Sequence, residues 1–199
     1  MDLLPIRRAI LSVTDKSGLA DFASFLADGG VELISTGGTR KMLLDEGLEV
    51  TSVSEVTGFP EIMGGRVKTL HPHVHAGILA DKDDAAHMDT LAELELQPFD
   101  LICVNLYNFA EAAAKGAGLK EAVEQIDIGG PTMLRAAAKN LHSVLVVPGT
   151  EFYPRVTEEL KSNGYKAGLA LRRDMAAATF EATSRYDAMI TEYISGTPR

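Results

Sequence analysis

The sequence has one cysteine among 199 residues, no long apolar run and no excess of positive charge. Each of these absences removes a class of protein. Cys103 alone cannot form an internal disulfide, and its neighbours Leu101, Ile102 and Val104 mark it as part of a buried strand. No stretch reaches the roughly 18 consecutive apolar residues that a membrane-spanning helix needs, so no membrane partner is expected. Nineteen Lys and Arg stand against 28 Asp and Glu, giving a formal charge of -9. Such a surface repels a phosphate backbone and argues against nucleic acid as a partner. Any anion must therefore be held by local groups. The first eight residues, Met1 to Arg8, carry no apolar h-region, so no secretory signal is visible. Together with the cysteine usage this fits a cytoplasmic location. G-x-G-x-x-G, the P-loop pattern and a nucleophile elbow are also missing, which weakens dinucleotide, P-loop and serine-hydrolase readings.

What is present is the composition of a globular domain, 46% hydrophobic and 24% charged. A chain of this length is expected to bury about 70% of its unfolded surface around a single core. Short runs rich in Ile and Val recur at 9–13, 31–34, 49–53, 101–106 and 143–147. Strands buried on both faces read this way. Amphipathic segments at 19–26, 39–46, 85–94 and 119–125 supply crossover helices, and the alternation predicts an α/β fold with a mostly parallel sheet covered on both sides. Leu171, Met175, Ala178, Ala182, Tyr186, Met189 and Tyr193 recur at spacings of three and four, predicting one long C-terminal helix with Arg172, Arg173, Glu181 and Arg185 off its apolar stripe. The expected organisation is one domain, with the α/β core to about residue 148 and a helical extension from about 149 to 199.

In open parallel sheets ligands bind beyond the carboxyl ends of the strands, and those positions are polar here. Thr14-Asp15-Lys16 follows the first strand. Ser35-Thr36-Gly37-Gly38-Thr39 follows the second and opens a helix, offering main-chain N–H groups and a positive dipole end to a phosphate. Asn105 and Tyr107 end the fourth strand. Asp127 precedes the Gly129-Gly130-Pro131 start of another helix, where it reads as a cap or, more sharply, as a general base. In Gly64-Gly65-Arg66-Val67-Lys68-Thr69-Leu70, an extended backbone would set Arg66 and Lys68 on one side, roughly 6 to 7 Å apart. Val67 and Leu70 would then face the protein. Arg135 and Lys139 share a helix face, which a solvated basic surface explains simply. Twelve residues of unbroken helix would separate Asp127 from Lys139 by about 18 Å, so they meet only if the chain bends at Gly129-Gly130. His71, His73 and His75 alternate without a fourth ligand, and no metal is expected.

Taken together, these motifs resemble the IMP cyclohydrolase domain that forms the N-terminal part of the bifunctional purine-biosynthesis enzymes. The matching residues are Ser12 to Lys16, Ser35 to Thr39, Thr57 to Glu61, Gly64 to Pro72, His75 to Gly77, Asn105 to Tyr107, Ile126 to Gly130 and Leu134 to Asn140, in family order. The resemblance implies a methylglyoxal-synthase-like three-layer α/β/α sandwich with C-terminal helices. It also implies dehydration of the formylated aminoimidazole carboxamide ribonucleotide, FAICAR, to IMP, without a cofactor. By the same resemblance Lys68 is the cation at the formyl oxygen and Asp127 the base on the amide. Lys139 is a proton donor and acceptor, supported by Tyr107. Ser12, Thr14, Asp15, Lys16, Thr36, Gly37, Gly38, Thr39, Arg66, Val67 and Thr69 are nucleotide contacts, and Val104, Asn105, Ile128 and Gly129 line the base. The family further implies a homodimer.

Two departures stand out. Asn108 occupies the place where the family has proline after Asn-Leu-Tyr, which leaves the main chain after Tyr107 less restrained. The chain also stops where the family continues into a transformylase, which leaves two expectations: part of a longer bifunctional enzyme, or a stand-alone cyclohydrolase fed by a separate formyltransferase. A purine-nucleotide-sensing module on the same fold, and a methylglyoxal-synthase-like lyase, are the alternatives.

Overall fold

The computed structural model describes residues 2–106, 109 and 118–196. In chain order the elements are β1 (Leu3–Pro5), β2 (Arg8–Ser12), α1 (Leu19–Asp28), β3 (Glu32–Ser35), α2 (Gly37–Asp45), β4 (Thr51–Ser52), α3 (Val53–Thr57) and a 3-10 turn at Met63–Gly65. There follow α4 (Pro72–Leu79), α5 (Ala85–Glu93), β5 (Leu101–Val104), α6 (Leu119–Val123), α7 (Gly129–Lys139), β6 (Leu145–Val147), a 3-10 turn at Thr150–Phe152, α8 (Tyr153–Ser162), β7 (Lys166–Gly168) and α9 (Leu169–Ser195).

Among the described residues five strands form one sheet in the order β4-β3-β2-β5-β6, and every pairing in it is parallel. Ala9, Ile10, Leu11, Leu101, Ile102 and Leu145 to Val147 are all fully buried, as strands covered on both faces must be. The expected α/β architecture is therefore the observed one. A two-stranded antiparallel ribbon of β1 and β7 is an addition that the sequence pattern did not announce, since each strand has only three residues.

The long C-terminal helix forms as expected, but its buried face is turned slightly. Thr179 and Thr183 are buried where Ala178 and Ala182 were expected, their hydroxyls donating to the carbonyls of Met175 and Phe180. Arg172, expected off the stripe, is fully buried. Its guanidinium donates to the carbonyls of Leu141, His142 and Asp2 and so ties α9 to the loop after α7. Short apolar spacing cannot reveal such a bond, because its acceptors lie 30 residues or more away in the chain.

At the amino ends of β2 and β5 a largely buried ion pair closes the sheet. Asp100 accepts from the N–H groups of Arg7 and Arg8 at 2.8 and 2.9 Å and pairs with Lys82, whose ammonium also donates to the Phe99 carbonyl. Burial pulls the Lys82 ammonium below the usual lysine range, with Asp100 opposing that shift. Replacing Asp100 by alanine strands a buried cation and two main-chain donors. Urea unfolding of Asp100→Ala is expected to show a loss of about 3 to 5 kcal/mol; a loss under about 1 kcal/mol would contradict this role for the pair.

Candidate functional site

The carboxyl ends of β2, β3 and β5 open into a cleft of about 1090 Å³. Its floor is fixed by side chains that bond to the main chain of neighbouring loops and strands. Asn105, just past β5, accepts from the N–H groups of Thr14 and Asp15 at 2.7 and 3.1 Å and donates to the Asp15 carbonyl at 2.7 Å. Thr39 both accepts from the Val13 N–H and donates to the Val13 carbonyl. Ser35 donates to the Leu11 carbonyl at 2.6 Å. These groups hold the loops and are spent on doing so.

The N-terminus of α2 is left open. Thr36 is its N-cap without a side-chain capping bond, the first N–H groups of any helix lack intrahelical partners, and Thr36, Gly37 and Gly38 line the cleft. Gly37 has φ +48°, and a Cβ built there would lie 4.0 Å from the Lys68 ammonium. A cation and a helix N-terminus thus converge on one place, as an anion requires. Lys68 also borders a smaller hollow of about 400 Å³ alongside Arg40 and Phe59.

The next residue, Thr69, is buried and turns the other way. Its Oγ1 lies 2.5 Å from where a Gly129 Cβ would be, and Asp127 Oδ1 lies 4.0 Å from that same point. Only a residue without a side chain fits between them. Asp127 Oδ1 accepts from the Gly130 N–H at 3.0 Å, so the carboxylate does serve as a cap for α7, as its simplest reading held. Its own N–H donates to the Tyr186 hydroxyl at 2.7 Å. Lys68 therefore stands on the α2 side of the cleft and Asp127 on the α7 side.

The segment carrying Lys68 is not the extended strand expected. Met63, Gly64 and Gly65 have φ of +55°, +64° and +92°, forming a tight turn closed by a bridge between Ile62 and Val67. Arg66 is in the right-handed helical region and Leu70, expected to face the protein, is exposed. Arg66 and Lys68 accordingly do not act as one clamp. Arg66 pairs with Glu124, with Nε to Oε2 at 3.2 Å, and hydrogen bonding plus charge holds Glu124 below and Arg66 above their ordinary ranges.

Of the other expected site residues, Ser12, Thr14, Lys16, Thr36, Gly38, Val67, Ile128 and Gly129 line the cleft with those above. Asp15 does not: its carboxylate accepts from the Ser17 N–H and hydroxyl, which hold it below the usual carboxylate range. Val104 lies behind the lining, its Cγ1 3.3 Å from a Gly130 Cβ position. Lys139 was expected at this site as a proton donor and acceptor. Helix α7 runs unbroken from Gly129 to Lys139, and Lys139 is exposed in its last turn, away from the cleft within this chain. Tyr107 and Asn108 lie outside the described residues. His71 caps α4, its Nδ1 accepting from the His73 N–H, and the three histidines do not gather into a metal-binding group among the described residues. Glu124, Gln125, Met133 and Gly130 line the cleft without having been singled out; no local pattern marks Glu124, because its partner is 58 residues away.

Residues 18–132 match the family described as the MGS-like domain. The chain belongs to the MGS-like domain family. Residues 137–199 match a second family, described as the AICARFT/IMPCHase bienzyme. Similar curated proteins include the bifunctional purine biosynthesis protein PurH of Rhodospirillum rubrum, 49% identical over 97% of this chain, and that of Cereibacter sphaeroides, 50% identical over 98%. PurH of Lacticaseibacillus paracasei is 52% identical over 97%. The chain spans only 37 to 38% of the length of these relatives. A solved structure titled "Crystal structure of ForH" superposes on this MGS-like domain with a TM-score of 0.83 at 32% identity, over 95% of this chain and 99% of that one.

An alanine methyl at position 130 would lie 2.2 Å from Asp127 Oδ2, the mobile end of a side chain. Gly130→Ala is expected to unfold within about 1 kcal/mol of wild type while its Asp127 carboxylate swings off the Gly130 N–H, read in a crystal structure of the variant. An unmoved carboxylate would contradict the packing described.

Proposed function

We propose that this cleft closes a purine ring, converting FAICAR to IMP and water. The observation that carries the reading is the placement of the Lys68 ammonium and the Asp127 carboxylate on the two sides of one cleft. The similarity to PurH proteins and to the bienzyme family over residues 137–199 supports it.

A carboxamide nitrogen is a poor nucleophile and a formyl carbon a modest electrophile, so closure needs a base on one partner and positive charge on the other. Asp127 takes a proton from the carboxamide nitrogen as that nitrogen bonds to the formyl carbon. Lys68 hydrogen-bonds the formyl oxygen and stabilises the charge that develops there. The charged oxygen takes a proton from Lys68 to become a hydroxyl, which leaves as water with the proton returned by Asp127, while the neighbouring ring-substituent nitrogen gives its proton to the Lys68 amine as the C=N bond forms. Lys139 has no part in this sequence within one chain, and the main-chain N–H groups of Gly37 and Gly38 with Lys16 hold the nucleotide's anionic end. The reading extends to a cytoplasmic homodimer supplied with FAICAR by a formyltransferase activity, and it needs acid–base chemistry alone.

Purified protein incubated with FAICAR is expected to form IMP, followed by absorbance. IMP formation no faster than the uncatalysed rate would sink the proposal, saturable nucleotide binding without turnover would favour a sensing module, and methylglyoxal from dihydroxyacetone phosphate would favour a lyase. Lys68→Ala is expected to lose about 100-fold or more in kcat with unfolding stability within about 0.5 kcal/mol, because the side chain is exposed. A near-normal rate would remove Lys68 from the reaction.

A further inference from the structure

A base that sits in a turn acts only as well as the turn is held. Asp127 lies between α6 and α7, and two bonds fix it: the Gly130 N–H on its carboxylate, and the Tyr186 hydroxyl on its own N–H. The first comes from the adjoining helix. The second comes from α9, 59 residues further along the chain.

Tyr186 is 2% exposed and forms a small apolar cluster with Phe109 and Ala122, separate from the main core, against which Leu106, Ile126, Met189, Ile190 and Tyr193 pack. The ring is thereby clamped, and its oxygen emerges at the Asp127 peptide. Burial raises the phenol above the usual tyrosine range, so it stays neutral at physiological pH. Among the described residues the hydroxyl bonds the Asp127 main chain and neither of its carboxylate oxygens. Oδ1 goes to Gly130, and among the described residues Oδ2 remains for a proton. Tyr186 also lies outside the segment that matches the MGS-like domain. The C-terminal helix therefore adds to that fold the group that fixes the acidic side of the cleft.

We propose that Tyr186 is the positioning residue for Asp127, so that α9 aims the base of the ring closure as well as packing against the domain. This rests on the cyclohydrolase reading. Tyr186→Phe keeps the ring and its packing and removes only the acceptor. It is expected to lower kcat for FAICAR about tenfold or more, with KM within about twofold. Asp100→Asn, at the opposite end of the sheet, serves as the control for lost stability alone, and its kcat per folded molecule is expected to stay within about twofold of wild type. A Tyr186→Phe kcat like that of the control overturns the proposal and leaves the cyclohydrolase reading standing.

A second measurement needs no turnover. The bond removed is the one on the Asp127 N–H, so amide exchange at Asp127 is expected to quicken in Tyr186→Phe and its amide resonance to shift. Absence of IMP formation by wild type would sink the cyclohydrolase reading, and the NMR comparison would then decide the role of Tyr186 by itself: an unchanged amide resonance and exchange rate at Asp127 overturn it.

Discussion

The register of three parallel strands is the constraint on which the rest depends. Ile10 of β2 lies opposite both Ile34 of β3 and Ile102 of β5, so the three strands finish level, with Leu11 beside Ser35 and Ser12 beside Val104. Their loops must then leave the sheet side by side. A slip of one residue would turn the buried Ile and Val side chains to the wrong faces, and both faces are covered here. The apolar core thus enforces, at a distance, that Thr14, Thr36 and Asn105 meet at one edge.

Once they meet, the polar residues divide into two kinds. Asn105, Thr39 and Ser35 use their hydrogen-bonding capacity on the neighbouring backbone, which makes the floor rigid. The open N-terminus of α2 and the ammonium of Lys68 are left for a ligand. That division answers the difficulty posed by an overall charge of -9. The long-range field of the molecule disfavours anions, and the site attracts them by groups within hydrogen-bond reach. Across the cleft the start of α7 is occupied by the chain's own carboxylate, Asp127, so the two helix N-termini differ in chemical character although they are alike in geometry.

Much of this was legible in the residues. Continuous Ile and Val runs located the five sheet strands, and the hydroxyls and glycines after the runs located the cleft. Contacts between residues far apart in the chain were not legible. Arg172 read as lying off the apolar stripe until its carbonyl partners were in place, and Arg66 read as sharing one side with Lys68 until Glu124 took it. The turn at Met63 to Gly65 hid behind an alternation of apolar and basic residues that fits a strand equally well. Helix α4 was missed for a related reason: with His71 as its cap and Pro72 in its first turn, its eight residues are too few for a helical period to outweigh the alternating histidines. Lys139 shows the opposite case. The distance along an unbroken helix already set it apart from Asp127, and the structure keeps it there.

The central claim is that Lys68 and Asp127 serve one ligand from the two sides of one cleft. The most direct measurement is a crystal structure with IMP bound. The account predicts the purine ring lying between them, the Lys68 ammonium and the Asp127 carboxylate each within hydrogen-bond distance of it, and the phosphate on protein N–H groups in the same cleft. A purine ring seated in the hollow beside Arg40 and Phe59, out of reach of Asp127, would contradict it.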